Sequence, residues 1–425
     1  MRVMKDSGVE WIGEIPEDWG IVKVKQAFVR KNEKAQQENP VVLSLARSGV
    51  RVRDVSTNEG QVAESYYNYN PVSVGDLLLN PMDLYSGANC SLSEVEGVIS
   101  PAYVNLKNKE GYFSKFYDYY FKVQYWMMVL FAHGKGVSFD NRWTLNHETL
   151  MNFPIVSPDF KTQKHIADFL DDKCGKNDRY IEKQQQIIDK LKEYKQAVIT
   201  EAVTKGLDPD APMKDGGVTF VCEVPSHWSV IRFKYITDAI GDGLHGTPEY
   251  DSDGEYYFLN GNNIGNENLV FKDNTDRISE FEYKKYKPVN ISENTILITL
   301  NGATYGKTSF YHNEKILLGK SAGYITLKNG ENKCFVRFYL QSNIARLIME
   351  LSLCGSTIAN LSLKTLNEFV MPYPPLYEQE QIVEYLTAKC SEIDRAIDKK
   401  QSLIEKFTEY KKSLIYEAVT GKLEV

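Results

Sequence analysis

A 46-residue segment occurs twice in this chain, 216 positions apart. Residues 162–207 align without a gap with residues 378–423, and 21 of the 46 aligned positions are identical. The copies end as "EYKQAVITEAVTKGL" and "EYKKSLIYEAVTGKL". Because a true internal repeat constrains the architecture more than any local pattern does, the duplicated segment is the starting point for the fold.

Each copy has the features of one long amphipathic helix. Neither copy contains proline, and Gly206 and Gly421 near the two ends are typical of helix termini. Apolar residues recur with heptad spacing, which predicts helices of about 60 Å that pair as a coiled coil. The alternative is two separate surface helices, each packed on its own domain. The predicted seam residues are Leu170, Ile181, Ile188, Leu191 and Val198 in the first copy, and Leu386, Ile397, Ile404, Phe407 and Leu414 in the second.

A second repeat precedes the first one in each half. "DSGVEWIGEIPEDWGIVKVK" at residues 6–25 matches "DGGVTFVCEVPSHWSVIRFK" at residues 215–234. The chain is therefore predicted to alternate two globular domains with two long helices. We expect a first domain over 1–158, a first helix over 159–207, a linker ("DPDAPMK") with a second domain over 208–374, and a second helix over 375–425. Strand-like runs such as "NTILITL" predict β-sheet within both domains, and thus an α+β class.

Composition restricts the class of protein further. The net charge is −7, and no apolar run approaches the roughly 20 residues that a membrane helix needs. The six cysteines form no CxxC pair, which argues against zinc clusters and fits a reducing compartment. The first residues lack the apolar centre of a signal peptide. We expect a soluble, cytoplasmic protein that does not enter a membrane.

Several catalytic motifs are matched only superficially. Gly241 to Gly246 satisfies GxGxxG, but Thr247-Pro248 follows where a nucleotide-binding helix would begin. "GATYGKT" is one residue short of a P-loop and is better explained as a hairpin turn. Asp171 and Lys173 complete a loose PD…DxK pattern, but they lie in the long helix. The six histidines show no metal spacing. We therefore expect no catalytic residue and no metal site, and a freestanding methyltransferase or nuclease is the weaker alternative.

Together these segments resemble the specificity subunit of type I restriction–modification systems. The resemblance covers essentially the whole chain, and its most specific marks are "SGVEWIGEIPEDW" with its echo "GGVTFVCEVPSHW", the helix entry "PPLYEQEQIVEYL" and the endings "EAVTKGL" and "EAVTGKL". The first helix entry departs from the pattern, reading "SPDFKTQKHIADFL". The resemblance implies two target recognition domains, each reading half of a split double-stranded DNA site. It also implies that the two helices form an antiparallel coiled coil that docks two methyltransferase (modification) subunits.

The resemblance assigns the chemistry to partner subunits. Restriction subunits, which carry the motor and nuclease, would join the assembly, and S-adenosylmethionine, ATP and Mg are expected on the partners with no cofactor in this chain. Because the two globular segments share little sequence, the two half-sites are expected to differ. A scaffold whose globular halves bind proteins rather than DNA is the remaining alternative.

Local charge indicates where DNA would be contacted, because phosphate contacts need clustered Lys and Arg. Residues 23–53 hold eight basic and two acidic residues, a local +6, and residues 284–320 hold six and two, a local +4. Arg suits guanine and Asn suits adenine in the major groove. A solvated basic face with turn asparagines is the alternative. The candidates are Lys23, Lys25, Arg47, Arg51 and Arg53 in the first domain, and Asn260, Asn262, Asn263, Lys307 and Lys320 in the second.

Overall fold

The computed structural model describes residues 2–56, 63–82, 84–86, 89–136, 143–218, 221–286, 290–302, 304–353 and 360–425. The chain divides into two compact units. Unit 1 comprises Met1–Gln185 and Ser402–Val425, and unit 2 comprises Gln186–Gln401. Each unit therefore contains one globular segment, part of the first long helix and part of the second.

The globular part of unit 1 is built from short strands and helices. Its strands are β1 (Met4–Asp6), β2 (Glu14–Pro16), β3 (Gly20–Lys23), β4 (Phe28–Arg30), β5 (Leu43–Ala46), β6 (Gly49–Val52), β7 (Asn70–Val72), β8 (Leu77–Leu79), β9 (Cys90–Leu92), β10 (Gly97–Ile99), β11 (Val104–Asn108) and β12 (Pro154–Ser157). Its helices are α1 (Val24–Ala27), α2 (Ser114–Trp126), α3 (Val129–Ala132) and α4 (His147–Asn152), with a 3-10 turn at Leu84–Ser86.

An antiparallel sheet of order β4-β11-β8-β9 forms the centre of unit 1. Because successive side chains of a strand point to opposite faces, Leu77 and Leu79 project to the same side of β8. Both side chains belong to the main core of this unit, together with Phe116 and Tyr120 of helix α2. Leu78 points the other way into a smaller core with Leu43 and Leu45. The hairpin β5–β6 is therefore anchored on the opposite face of the sheet from α2.

The globular part of unit 2 has a corresponding set of elements. Its strands are β13 (Met213–Val218), β14 (Val221–Pro225), β15 (Ser229–Arg232), β16 (Thr237–Asp242), β17 (Tyr256–Leu259), β18 (Arg277–Ile278), β19 (Thr295–Thr299), β20 (Thr308–Phe310), β21 (Ile316–Leu318), β22 (Ala322–Leu327) and β23 (Val370–Tyr373). Its helices are α6 (Glu280–Tyr286), α7 (Lys333–Leu340), α8 (Asn343–Leu353) and α9 (Leu363–Asn367), with 3-10 turns at Phe233–Tyr235 and Gly261–Asn263.

Two sheets organise unit 2. One is antiparallel with order β16-β22-β19-β20, and the other has order β18-β17-β21, in which β17 and β21 run parallel. Gly302 and residues 304–306 of the "GATYGKT" stretch fall between β19 and β20, which pair as a hairpin, as the sequence predicted. Gly302 and Gly306 have φ of +81° and +79° there, values that favour glycine. The loop after Gly241–Asp242 continues without a helix, so the GxGxxG match is not a nucleotide-binding turn.

The duplicated segments form two long helices. Helix α5 spans Phe160–Lys205 (46 residues) and helix α10 spans Leu376–Val419 (44 residues). At 1.5 Å per residue each is roughly 65–70 Å long. Asp159 caps the start of α5, where its carboxylate accepts hydrogen bonds from the backbone N–H groups of Lys161 and Thr162. Gly206 and Gly421, with φ of +80° and +71°, follow the two helix ends.

The two helices pack against each other in antiparallel fashion within each unit. In unit 1, Lys411 Nζ lies 2.6 Å from Asp178 Oδ1. In unit 2, Lys195 Nζ lies 2.6 Å from Asp394 Oδ2. Lys195 and Lys411 are equivalent in the repeat, and so are Asp178 and Asp394, so the same ion pair is formed twice with the helices exchanged. The predicted α+β architecture with two paired long helices is confirmed.

The repeated segments at residues 6–25 and 215–234, here called the opening motifs, each pack against the end of one long helix. In unit 2 the Trp228 ring lies against Gly206, and a Cβ added to that glycine would be 3.1 Å from Trp228 Cζ2. In unit 1 a Cβ on Gly421 would be 3.1 Å from Trp19 Cη2 and 2.4 Å from Pro16 Cδ. The first helix thus ends against the second opening motif, and the second helix ends against the first. No helix in the described part of the chain is both long and apolar enough to cross a membrane.

Candidate functional site

The hairpin β5–β6 presents three arginines of the predicted site in unit 1. Leu43 and Leu45 point into the core, so the alternate positions, including Ser44 and its cross-strand partner Arg51, face away from it. Arg47 lies in the turn between the strands, and both Arg47 and Arg51 are exposed. Arg53 follows β6 and is half-buried, with its backbone N–H donating to the Val42 carbonyl at 2.8 Å. The hairpin therefore holds the three guanidinium-bearing residues on one short element.

A cleft of about 640 Å³ lies beside this hairpin. Its lining combines the Arg53 side chain with hydroxyl-bearing residues, namely Ser44, Tyr69, Ser100 and Tyr103. Arg53 was predicted from the sequence, whereas the other four residues were not. The alternation Leu43-Ser44-Leu45 was the available signal that Ser44 faces outward with Arg51.

Lys23 and Lys25 occupy a separate segment of unit 1. Lys23 ends β3 and Lys25 lies in α1, and both side chains are exposed. Lys109 Nζ donates a hydrogen bond to the Lys25 carbonyl at 2.8 Å, which brings a third cation to this segment. The cations of this segment can pair with a phosphate group by charge.

The three asparagines predicted in unit 2 fall on one 3-10 turn, but they have different roles. Asn263 Oδ1 accepts from the Asn260 N–H at 3.0 Å, and Asn263 Nδ2 donates to the Val270 carbonyl at 3.0 Å. Asn260 Oδ1 accepts from Ser321 Oγ at 3.2 Å. These bonds hold the turn in shape. Asn262, between them, is exposed, so its amide is the one that the turn presents to solvent.

The structure brings the predicted lysines of unit 2 to the same region. Lys320 is exposed and precedes Ser321, which is bonded to Asn260. Lys307 is exposed in the β19–β20 hairpin, and its carbonyl accepts from the Thr299 N–H at 2.9 Å. Thr299 Oγ1 in turn donates to the Gly261 carbonyl at 3.2 Å. Three chain segments that are distant in sequence therefore meet around the turn of Asn260, Asn262 and Asn263, here called the asparagine turn.

The basic region that begins at Lys284 is less positive than its local sequence indicates. Lys284 pairs with Glu280 at 2.8 Å, and Lys315 pairs with Glu255 at 2.5 Å. Both carboxylates lie outside the 284–320 window. The neighbouring carboxylate raises the pKa of each lysine, by hydrogen bonding first and by charge second. These lysines are already neutralised within the fold, so they offer an anion less than Lys307 and Lys320 do.

Unit 2 also has an aromatic and cationic cluster that was not predicted from the sequence. The rings of Tyr256 and Tyr283 stack with their centroids 4.0 Å apart. Lys315 Nζ lies 5.3 Å from the Tyr256 ring centre, and the Arg277 guanidinium lies 4.8 Å from that of Tyr257. The residues come from β17, β18, α6 and the turn before β21, so no local sequence pattern marked them as neighbours.

The predicted seam residues of the long helices differ in burial. Leu170, Ile188, Val198 and Leu386 are buried. The remaining ones are half-buried: Ile181, Leu191, Ile397, Ile404, Phe407 and Leu414. A polar interruption of the seam, Asn177, is also buried, and its Nδ2 donates to the Phe407 carbonyl at 2.8 Å. The polar residue that interrupts the hydrophobic pattern therefore forms a hydrogen bond between the two helices.

A polar cluster fixes the opening motif of unit 2 onto α10. Glu378 accepts hydrogen bonds from Trp228 Nε1 and from His227 Nε2, each at 2.8 Å. Burial alone raises the pKa of the Glu378 carboxyl, but hydrogen bonds from Trp228, His227 and Tyr377 outweigh it and hold the pKa below its usual value. Thr162 is the equivalent of Glu378 in the first copy, and the buried Trp19 Nε1 has no hydrogen-bond partner among the described residues. Within the described ranges, no three His, Cys, Asp or Glu side chains are grouped to hold a metal ion.

Comparison with known proteins shows what the chain is similar to. The profile of the type I restriction modification DNA specificity domain matches residues 225–406. The MjaVIII specificity subunit of Methanocaldococcus jannaschii is 22% identical over 97% of this chain and 94% of its own length. The EcoBI specificity subunit of Escherichia coli is 24% identical over 88% of this chain and 79% of its own.

A solved structure shows a similar fold. A chain in a solved structure of the type I R-M system superposes with a TM-score of 0.70 at 17% identity, over 96% of this chain and 99% of that one. The two chains therefore share the same fold. The chain thus carries a match to this specificity domain over residues 225–406 and is similar to type I specificity subunits over most of its length.

Proposed function

We propose that this chain is the non-catalytic DNA-recognition subunit of a type I restriction–modification complex and that it reads an asymmetric, bipartite site. One observation carries the proposal: the same helical framework is built twice, with the same Lys–Asp ion pair and the same Trp–Gly packing, around two globular parts whose exposed residues differ. A duplicated helical framework that carries two different surfaces suits the recognition of two different DNA half-sites.

The exposed side chains of the two globular parts support recognition of different bases. In unit 1, Arg47 and Arg51 project from a hairpin, and a guanidinium pairs with the O6 and N7 atoms of guanine. In unit 2, Asn262 is the exposed amide of its turn, and an amide pairs with the N6 and N7 atoms of adenine. Lys307 and Lys320 flank that turn and suit the phosphates. Two half-sites of different sequence follow from these two surfaces.

Partner subunits complete the function. Two methyltransferase subunits would dock on the helical framework, restriction subunits would join them, and these partners would bind S-adenosylmethionine, ATP and Mg. The net charge of −7 supports this division. Because DNA affinity depends on the number of phosphates neutralised, we expect the chain alone to bind DNA weakly and the assembled complex to bind it tightly.

Methylation mapping tests the proposal directly. The chain would be expressed with the methyltransferase subunit encoded beside it, and the genome of the host cells would be sequenced for modified adenine. We expect one split motif with different half-sites. A hybrid carrying the globular part of unit 2 from a relative should change one half-site and preserve the other. Absence of new methylation, with the partner active beside another specificity subunit, would contradict the proposal and favour a protein-binding scaffold.

A further inference from the structure

Three Asn-Gly dipeptides occur in the chain, at residues 260–261, 301–302 and 329–330, and all three lie in unit 2. An asparagine before glycine is especially prone to lose its side-chain amide, because the glycine has no Cβ to hinder attack by its own backbone nitrogen. The first dipeptide belongs to the asparagine turn. The surroundings of each dipeptide decide whether the reaction can take place in the folded protein.

The reaction is intramolecular and needs no reagent except water. The backbone nitrogen of the glycine bonds to Cγ of the asparagine, the Cγ–Nδ2 bond breaks, and ammonia leaves after taking up the proton of the glycine N–H through solvent. Water then opens the resulting five-membered imide to aspartate or isoaspartate. Because the glycine nitrogen must first reach Cγ, contacts that hold either group slow the reaction.

The Ser321 hydroxyl holds both reacting groups of the first dipeptide. Ser321 Oγ accepts a hydrogen bond from the Gly261 N–H at 2.8 Å and donates one to Asn260 Oδ1 at 3.2 Å. Gly261 is buried, and a Cβ added to Gly319 would lie 2.4 Å from Asn260 Oδ1, so the amide packs directly on the chain at Gly319. Attack on Asn260 therefore requires both hydrogen bonds of Ser321 to break.

Asn263 fixes the backbone of Asn260 as well. The Asn263 N–H donates to the Asn260 carbonyl at 2.9 Å, and Asn263 Oδ1 accepts from the Asn260 N–H at 3.0 Å. These two bonds oppose the backbone rotation at Asn260 that would bring the Gly261 nitrogen onto Cγ. The nucleophile and the amide of this dipeptide are thus both restrained.

The dipeptide Asn329–Gly330 lacks these restraints. Both residues are exposed, in a turn that the Glu331 N–H closes by donating to the Lys328 carbonyl at 3.2 Å. Among the residues that the structure describes, the Gly330 N–H has no hydrogen-bond acceptor. Asn329 Oδ1 accepts from Asn294 Nδ2 at 3.0 Å, and this exposed bond does not restrain the Gly330 nitrogen.

The remaining dipeptide, Asn301–Gly302, is not part of the comparison. Asn301 is half-buried and forms an isolated antiparallel bridge with Asn360. Its neighbour at position 303 lies outside the described residues. The contrast between Asn260 and Asn329 is therefore the informative one, because the residues around both are described.

We propose that Asn329 is a site of spontaneous deamidation in the folded protein and that Ser321 protects Asn260 from the same reaction. The two asparagines precede the same residue type, so their difference in reactivity comes from the fold. Ser321 acts on both the attacking nitrogen and the amide, whereas no residue does so at Asn329.

The protection matters for recognition, a consequence that rests on the proposed function. Deamidation at Asn260 would place a carboxylate, or an isoaspartate with an additional backbone atom, in the asparagine turn. Lys307 and Lys320 flank that turn, and a new negative charge beside them would weaken contacts with phosphate. Protection of Asn260 thus preserves the surface of unit 2 over the lifetime of the protein.

Peptide mapping by mass spectrometry tests the proposal on the full-length chain, incubated at mildly alkaline pH. In the wild type, Asn329 should deamidate at least about tenfold faster than Asn260, because reaction at Asn260 needs two more hydrogen bonds to break. Ser321→Ala should raise the rate at Asn260 about tenfold, with the rate at Asn329 unchanged as the control within the same molecule. Ser321→Thr retains a hydroxyl and should keep Asn260 protected.

The wild type in urea provides a test that needs no variant. In the unfolded chain Asn260 and Asn329 should react at similar rates, so that protection of Asn260 is seen only in the native state. The same ratio of rates in native and unfolded chain would overturn the proposal, and so would an unchanged rate at Asn260 in folded Ser321→Ala. These measurements involve neither DNA nor a partner subunit, so their outcome is distinguishable from a failure of the proposed function.

Discussion

Replacing Trp228 by phenylalanine should destabilise unit 2 by about 2.5 kcal/mol more than the same replacement of Trp19 destabilises unit 1. The two tryptophans are equivalent in the opening repeat, and each is about 1% exposed. Both replacements remove similar volume from a core, at a cost of roughly 1–2 kcal/mol each. This shared cost cancels in the comparison, which leaves the hydrogen bonding of the indole N–H as the difference.

The magnitude follows from the partners of the two N–H groups. Trp228 Nε1 donates to the Glu378 carboxylate at 2.8 Å. A bond to a charged group contributes about 1.5–3 kcal/mol, and the lower end applies because the Glu378 side chain is 18% exposed. Trp19 Nε1 is buried without a partner among the described residues. Removing an unsatisfied donor recovers about 1 kcal/mol, and the two contributions add to about 2.5 kcal/mol.

Native-state hydrogen exchange is the appropriate assay because it reports the stability of each unit separately, whereas a chain with two units need not unfold in one step. We expect the exchange protection of amides near the end of α5 to fall roughly 50- to 100-fold further in Trp228→Phe than protection near the end of α10 falls in Trp19→Phe. Equal losses in the two variants would refute the reasoning, because they would show that the Glu378 bond contributes nothing measurable.

The pH dependence provides an internal check on the same bond. The folded state holds the pKa of Glu378 below its unfolded value. Its stabilising contribution is therefore fully present above the unfolded pKa of about 4.3 and is lost as the pH falls through the lower, folded pKa. The excess cost of Trp228→Phe should accordingly be constant from pH 7 down to about pH 5 and shrink below about pH 4. An excess that grows on acidification would contradict the assignment.

Three further predictions follow from the repeat and the asparagine turn. Thr162→Glu should raise the melting temperature by supplying an acceptor for the unpaired indole N–H of unit 1, as Glu378 does in unit 2; an unchanged or lower value would count against this pairing. Lys195→Glu should cost only about 0.5 kcal/mol, since the pair with Asp394 is exposed, and the added change Asp394→Lys should recover it in low salt, as measured by urea denaturation. Asn263→Ala should destabilise unit 2 by about 1–2 kcal/mol, because it leaves backbone groups unpaired. Asn262→Ala should leave stability unchanged but reduce methylation at one half-site, and a stability loss equal to that of Asn263→Ala would show that Asn262 is structural too.

The sequence alone was sufficient for the elements that depend on local pattern. The heptad spacing and the glycines after each copy predicted two long helices, and the structure places them at Phe160–Lys205 and Leu376–Val419. The repeated opening motif predicted two similar halves. Helix formation and amphipathic burial depend on residues a few positions apart, so a sequence read along its length contains that information.

Only the tertiary structure decided which predicted site residues are available for recognition. Asn260, Asn262 and Asn263 are the same residue type within four positions, yet two of them hold the turn and one is exposed. Lys284 and Lys315 counted as free cations in the sequence, whereas Glu280 and Glu255 neutralise them. A window of local charge omits partners that lie outside it or across the fold, so such pairs appear only in three dimensions.

The contacts of the long helices also separate what the sequence determined from what the tertiary structure decided. The sequence determined that the repeat exists, because identity at a constant offset needs no knowledge of contacts. It did not determine that the first helix ends against Trp228 and the second against Trp19, or that Lys195 pairs with Asp394 and Lys411 with Asp178. Those contacts join residues up to about 400 positions apart, and their free energy exists only once both helices have formed and packed. The tertiary structure thereby pairs the two duplicated helical segments in the same register within each unit.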